Sequence, residues 1–141
     1  MTQLNINTPD YWNGVYRGEW ESGAARSPDY SRDYGPVHDA VLRLISNHSQ
    51  VLDVACGPGL LCRKVKSKLP ECRVLGVDFS EYVIQQNRER DSSLGIEYRC
   101  LDIRTSLALV DEQFDVVMMC EILEHLEAPE EVLCAAMSLL K

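Results

Sequence analysis

The chain has 141 residues, is 45% hydrophobic and 26% charged, and carries a net charge of −8. That is enough for one domain with a sizeable core, and the balance is ordinary for a globular protein. No apolar run approaches the roughly 18 residues of a membrane span, and the acidity argues against a nucleic-acid partner.

The charge is uneven: −2 over residues 1–50, +1 over 51–100 and −7 over 101–141. The start, Met1-Thr2-Gln3-Leu4-Asn5, lacks the basic and apolar regions of a secretory leader, so a cytoplasmic location is expected. The six cysteines, at 56, 62, 72, 100, 120 and 134, form no Cys-x-x-Cys pair, so no metal is expected. Most sit in apolar runs and read as reduced, buried thiols.

Thr8-Pro9-Asp10 is a helix start: a capping hydroxyl, proline at the first position and an acid in the first turn. The helix is aromatic, with Tyr11, Trp12, Tyr16 and Trp20; Trp12 and Tyr16 share a face. Glu21 to Asp33 reads as a loop, with Tyr30 and Tyr34 within or beside it. This segment either closes over a ligand or anchors itself to the domain. A second helix is expected from Pro36 to Asn47 with the stripe Val37, Val41, Leu44, Ile45, and with His38 and His48 at the surface.

Val51 to Leu60 joins an apolar strand to Cys56-Gly57-Pro58-Gly59, which cannot continue it, and then to a helix running to about Leu69. The basic run Arg63-Lys64-Val65-Lys66-Ser67-Lys68 reads as that helix's solvated face. Arg73–Asp78 is the second strand, and Ser80 caps a helix from Glu81 to Arg90. After a turn at residues 91–95, Ile96–Cys100 alternates in polarity and belongs near a sheet edge. Residues 105–112 read as irregular or a short helical turn. Phe114–Cys120 is a fourth, almost wholly apolar strand, and residues 121–127 a loop with helical character. Pro129 opens the last helix, with the stripe Val132, Leu133, Ala136, Met137, Leu140.

This alternation predicts an α/β fold: a Rossmann-like parallel sheet with helices on both faces. Two parts are expected: an N-terminal aromatic helix and lid-like loop over 1–34, and a binding core over 35–141. Ligands of such sheets sit beyond the carboxyl ends of the strands. Here those ends carry the glycine turn, Asp78-Phe79, Asp102-Ile103 and Cys120-Glu121. An acid after the second strand is placed to hold ribose hydroxyls. An acid after the third accepts from an adenine amine, with an apolar neighbour on the ring. Gly57-x-Gly59 lacks the third glycine of a dinucleotide turn, which disfavours a nicotinamide oxidoreductase. Asp53, inside the first strand, suits a ligand with a positive group. S-adenosylmethionine, with its ammonium and sulfonium, fits that set.

Val51-Leu52-Asp53-Val54-Ala55-Cys56-Gly57-Pro58-Gly59 resembles motif I of class I S-adenosylmethionine-dependent methyltransferases. Leu75 to Ser80 is similar to their ribose-binding motif, and Cys100 to Ile103 to their adenine-contacting one. Phe114 to Val117 with Glu121 to Leu126 resembles the fourth-strand motif of the ubiquinone-biosynthesis-like, type 11/12 subgroup. Tyr11-Trp12 with Tyr16 is similar to a segment that covers the cofactor in some members. The resemblance implies strand order 3-2-1-4, about four of the seven family strands, and methyl transfer to a small molecule or a protein side chain. The alternative is a cofactor-binding module without activity of its own, completed by another chain or segment. The implied cofactor residues are Trp12, Tyr16, Asp53, Ala55, Cys56, Gly57, Gly59, Asp78, Phe79, Asp102, Ile103, Cys120 and Glu121. No catalytic residue is assigned: His125 is either a base or a brace, and Glu121 either faces the methionine end or braces its loop. The apolar fourth strand, bare at its edge and without lysine or proline, predicts pairing with a partner, such as a second copy in a homodimer.

Overall fold

In the computed structural model, residues 8–23 and 34–141 are described. The expected loop, with Tyr30, lies largely outside them. Thr8 caps α1 (Pro9–Glu21): its hydroxyl accepts the Tyr11 N–H at 3.3 Å. No α1 residue is fully buried.

The second helix, α2, is Gly35–Leu42, five residues shorter at its end than expected. Its inward stripe also differs. Val37 and Leu44 are exposed, while His38 and Ile45 are buried and Val41 and Leu42 pack on the core. Positions 38, 41, 42 and 45 share a face at helical spacing, so the face is rotated from the one read in the sequence. His38 is therefore not a surface residue. His48 is exposed, as expected.

From there the elements alternate: β1 (Gln50–Val54), α3 (Leu60–Lys68), β2 (Arg73–Asp78), α4 (Glu81–Arg90), β3 (Ile96–Cys100), the single turn α5 (Ile103–Ser106), β4 (Val116–Met118) and α6 (Pro129–Ser138). The sheet is wholly parallel, in the order β3-β2-β1-β4. This is the predicted order, with β3 at an edge.

Side-chain alternation along the strands splits the core in two. Val51, Val74, Tyr98 and Met118 meet Cys62 and Val65 of α3 and Val83 and Ile84 of α4 on one face. Leu52, Val54, Leu75 and Val77 meet Leu107, Phe114, Val132 and Ala136 on the other. A sheet covered on both faces needs apolar runs, which explains the sequence of β1 and β2.

β4 is shorter than expected: only Val116–Met118 pair with β1, and farther on Glu121 takes φ 57. Phe114 lies outside the strand but is paired on its outer side: its N–H donates to Leu139 and its carbonyl accepts from Lys141. The start of this edge is thus covered by the chain's own last residues. In the expected α6 stripe, Val132 and Ala136 are buried, while Leu133, Met137 and Leu140 are exposed. All six cysteines are free, but only 56, 62 and 72 are buried; Cys120 is half-buried, and Cys100 and Cys134 are exposed. The basic run is not a purely solvated face either. Arg63 binds the Pro58 carbonyl, Lys64 that of Gly35, and Lys66 those of Pro70 and Cys72.

Candidate functional site

The carboxyl ends of the strands open into one cleft with two halves. The first is walled by Asp78, Phe79, Asp102, Ile103, Arg104, Ile122 and Leu126. The second, about 410 Å³, is walled by Asp53, Cys56, Gly57, Leu60, Leu61, Cys120, Glu19, Tyr34 and His38. Trp12, Tyr16, Ala55, Glu121 and His125 line both. Twelve of the thirteen expected cofactor residues therefore meet at one place. Gly59 is the exception.

Gly59 has φ 71 and starts α3, and a Cβ there would lie 2.5 Å from the Tyr98 hydroxyl. Its lack of a side chain leaves room for the Tyr98 ring beneath the turn. Gly57, at φ 48, faces the other way, and a Cβ there would meet the Tyr16 hydroxyl at 3.1 Å. Its N–H donates to Asp78 Oδ2 at 2.9 Å, so this amide is already engaged.

Asp78 is 3% exposed, and its other oxygen accepts the Ser80 N–H at 2.9 Å. Burial raises its pKa to about 6, although these amides pull the other way. Its backbone bonds tie the ends of β1 and β2 to one carboxylate. Asp53 is also 3% exposed and accepts a hydrogen bond from the Cys62 thiol at 3.1 Å. Burial lifts its pKa to about 7. A cation arriving in the second half would favour the ionised form of this carboxyl. Burial also pushes the Cys56 thiol up to about 11 and raises that of Cys120, so neither is a reactive thiolate.

Asp102 caps α5 and grips Arg104, whose guanidinium lies 2.6 Å from its carboxylate and over the Phe79 ring at 5.5 Å. The bond to Arg104 holds the Asp102 pKa below the usual carboxylate range. Ala55, just after β1, and Glu121, three residues beyond β4, take φ 58 and φ 57. Non-glycine residues hold such angles only where their surroundings force it, and they concentrate at functional sites. Both stand where the halves meet.

Above this floor lies α1. Trp12 and Tyr16 pack at 5.6 Å between ring centres, and Trp12 meets His125 edge-on at 5.7 Å. Asn13 fixes the helix by accepting from the Ser80 hydroxyl at 2.6 Å and the Tyr82 N–H at 3.3 Å.

Sequence reasoning missed Asn13, His38 and a polar network beneath the turn. Asn87 donates to the Gly57 carbonyl at 2.8 Å, and Arg63 and Arg90 donate to that of Pro58. Buried Asp91 receives Arg90 and the Tyr98 hydroxyl, each at 2.7 Å. Burial works to raise the Asp91 pKa, but these partners outweigh it and hold it low. A signal for Asn87 exists: it shares the inward face of α4 with Val83 and Ile84, and a polar residue there must find partners.

A parallel sheet of this order, with a glycine turn and acids around a cleft beyond its carboxyl ends, defines a nucleoside-binding α/β protein. Residues 51–141 match the methyltransferase domain family, and the chain belongs to it. The ubiquinone biosynthesis O-methyltransferase of Acinetobacter baylyi is 29% identical over all of this chain and 61% of its own length. That of Idiomarina loihiensis is 34% identical over 84% of this chain and 52% of its own. The chain thus spans between about half and three-fifths of these curated relatives. Magnesium protoporphyrin IX methyltransferase from Synechocystis PCC 6803, solved with bound SAM, shares the fold. Its TM-score is 0.78 at 18% identity, over 100% of this chain and 74% of that one. The resemblance to class I methyltransferases is borne out. Among the described residues, no helix is long and apolar enough to cross a membrane.

Proposed function

We propose that the cleft binds S-adenosylmethionine and that the chain is the cofactor-binding part of a methyltransferase. The observation that carries this reading is the pairing of two unlike half-clefts under one aromatic cover. The first offers Asp78 to ribose hydroxyls, and Asp102 with Phe79 and Ile103 to an adenine. The second offers buried Asp53 to an ammonium. No glycine-rich cradle for a pyrophosphate accompanies them. Membership in the methyltransferase domain family supports the same cofactor.

Bound there, S-adenosylmethionine supplies a methyl group on a positively charged sulfur. The chain's own residues position and desolvate. Trp12 and Tyr16 close the cleft against water from above. Ala55 and Glu121 stand at the junction. An acceptor that must lose a proton finds His125 there, braced by Trp12; an acceptor already carrying a lone pair needs no base. The names of the relatives favour a small-molecule hydroxyl, and a protein side chain is the other acceptor of this reading. A cytoplasmic setting belongs to it as well. So does a homodimer through β4, whose residues 116–118 have no outer partner among the described residues.

Calorimetric titration tests the cofactor. S-adenosylhomocysteine is expected to bind and NAD to give no heat. Asp78→Asn is expected to weaken binding by roughly 1.5–3 kcal/mol, the scale of hydrogen bonds to a charged group. Absence of heat and of any thermal shift with millimolar S-adenosylhomocysteine overturns the reading. A methyl-release assay across acceptor classes then separates an enzyme from a binding module.

A further inference from the structure

The nucleoside half of the cleft is walled by Asp102 and Phe79, and one side chain of the protein itself covers both. Arg104 Nε donates to Asp102 Oδ1 at 2.9 Å, and Nη2 donates to Oδ2 at 2.6 Å. The same guanidinium lies over the Phe79 ring at 5.5 Å. A guanidinium is a flat group with N–H donors along its edge, suited to a carboxylate and to an aromatic face. Adenine, with its exocyclic amine, is also flat with N–H donors at one edge. The two ask for the same carboxylate and the same ring, so one must give way to the other.

Asp102 does not owe its place to that side chain. Its Oδ1 also accepts the Arg104 backbone N–H at 3.0 Å, the cap of α5, which movement of the guanidinium leaves intact. The Arg104 side chain is 37% exposed and that of Asp102 29%, and ion pairs this exposed cost little to give up. The arginine also has a second place to go. It lines a neighbouring cavity of about 200 Å³ that Glu127 and Glu131 line as well. Asp102 raises the Arg104 pKa above its ordinary value, and Glu127 adds to this through space.

We infer that the Arg104 guanidinium holds the adenine's place on Asp102 and Phe79 until S-adenosylmethionine binds, and then swings toward Glu127. This rests on the cofactor reading above and adds a competitor to it. The protein's own side chain sets the cofactor's affinity below what Asp102 and Phe79 would otherwise give, and cofactor binding sends a cation into the neighbouring cavity. A forked pair lying on a ring holds the guanidinium better than a single exposed carboxylate does, so loss of the arm is a net gain for the ligand.

Calorimetry on the full chain tests this with two ligands: S-adenosylhomocysteine, and 5′-methylthioadenosine, which keeps the base and ribose and lacks the amino-acid end. Arg104→Ala is expected to tighten both by about two- to fivefold, the scale of an exposed ion pair. Damage to the fold would act in the opposite direction. Arg104→Gln removes the charge but keeps an N–H donor, and is expected to fall between Arg104→Ala and the wild type. Glu127→Gln is expected to weaken both ligands by about twofold alone, the low end of that scale, and to have no effect beside Arg104→Ala. Unchanged or weaker binding by both Arg104 variants overturns the inference, and weaker binding makes the arginine a partner of the bound adenine instead. Tightening of S-adenosylhomocysteine without 5′-methylthioadenosine also overturns it, since the effect then lies outside the nucleoside half. An equal effect of Glu127→Gln in both backgrounds overturns the swing toward Glu127. If the wild type binds neither ligand, the cofactor reading itself has failed and the role of Arg104 falls with it.

Discussion

From Cys56 to Gly59 each backbone amide and carbonyl has a partner: the neighbouring backbone, Asp78, Asn87, Arg63 or Arg90. The helix above is held quite differently. α1 buries no residue fully and rests on Asn13 and on rings and cations. Arg17 lies over Tyr82 at 5.2 Å, Arg90 over Trp20 at 5.0 Å, and Tyr16 lies against Gly57. Partly exposed contacts of this kind are worth tenths of a kcal/mol to about one each. Buried, satisfied networks cost far more to break. The turn is therefore fixed before a ligand arrives, and the cover is the adjustable side. Arg90 belongs to both: it holds the Pro58 carbonyl below and the Trp20 ring above.

Breaking the fixed side is expected to have the largest effect. Gly59→Val puts a β-branched side chain at φ 71, with its Cβ driven to 2.5 Å from the Tyr98 hydroxyl. Tyr98 has no room to yield, since its hydroxyl is bound to Asp91 beneath the turn. A loss of about 3 kcal/mol or more is expected, the range of strain combined with core overpacking. Urea unfolding of the whole chain measures it. Near-native stability would show that the network gives way and that the two regions differ less than described.

The next expected effect concerns proton linkage on the fixed side. Asp53 and Asp78 have folded pKa values near 7 and 6, raised by burial from 3.8. A carboxyl with a higher pKa folded than unfolded holds its proton in the fold. Its contribution is complete below the unfolded value and is lost as pH rises to the folded one. Stability of the ligand-free chain is therefore expected to fall as pH rises from about 4 to about 7 on account of these two residues. Asp53→Asn is expected to flatten that slope and to stabilise the chain at pH 8 by roughly 1–2 kcal/mol, the order of a buried, poorly satisfied polar group. Thermal melts across the window read this directly. Carboxyls with depressed values, such as Asp91 and Asp102, act at lower pH. An unchanged slope would show that Asp53 is hydrated from the cleft.

The strands, their order and the acids at their ends were legible because each rests on local pattern. Apolar runs ending in Gly57-Pro58-Gly59 or in Asp78 leave few other structures, and Thr8-Pro9-Asp10 placed α1. What was hidden depends on partners far away in the chain. Tyr98 reads as a strand aromatic, and nothing near it says that its hydroxyl meets Asp91 under Gly59. The packing demand on Gly59 was consequently not visible in the sequence. His38 was misplaced because the second helix stops at Leu42, and extending the pattern to Asn47 drew the stripe through the wrong face. β4 was drawn too long because the apolar run Phe114–Cys120 extends on both sides of Val116–Met118, the three residues that pair with β1.

The smallest expected effect lies where the two regions touch. The sequence alone suggests that Gly57 makes room for a ligand, but the structure fills that space with the Tyr16 hydroxyl. Gly57→Ala is expected to cost about 1 kcal/mol of stability for alanine at φ 48, independent of α1. A second penalty belongs to the contact, 3.1 Å from the new methyl to the hydroxyl. Tyr16→Phe removes that oxygen and leaves ring carbons at 3.7 Å, an ordinary contact. In a double-mutant cycle on stability, Phe at 16 is expected to recover about 0.5 kcal/mol of the Gly57→Ala loss, the lower end of coupling between residues in contact. Such coupling means that the cover bears on the turn through this one contact. Strict additivity would mean that α1 moves aside at no measurable cost, the extreme form of an adjustable cover on a fixed site.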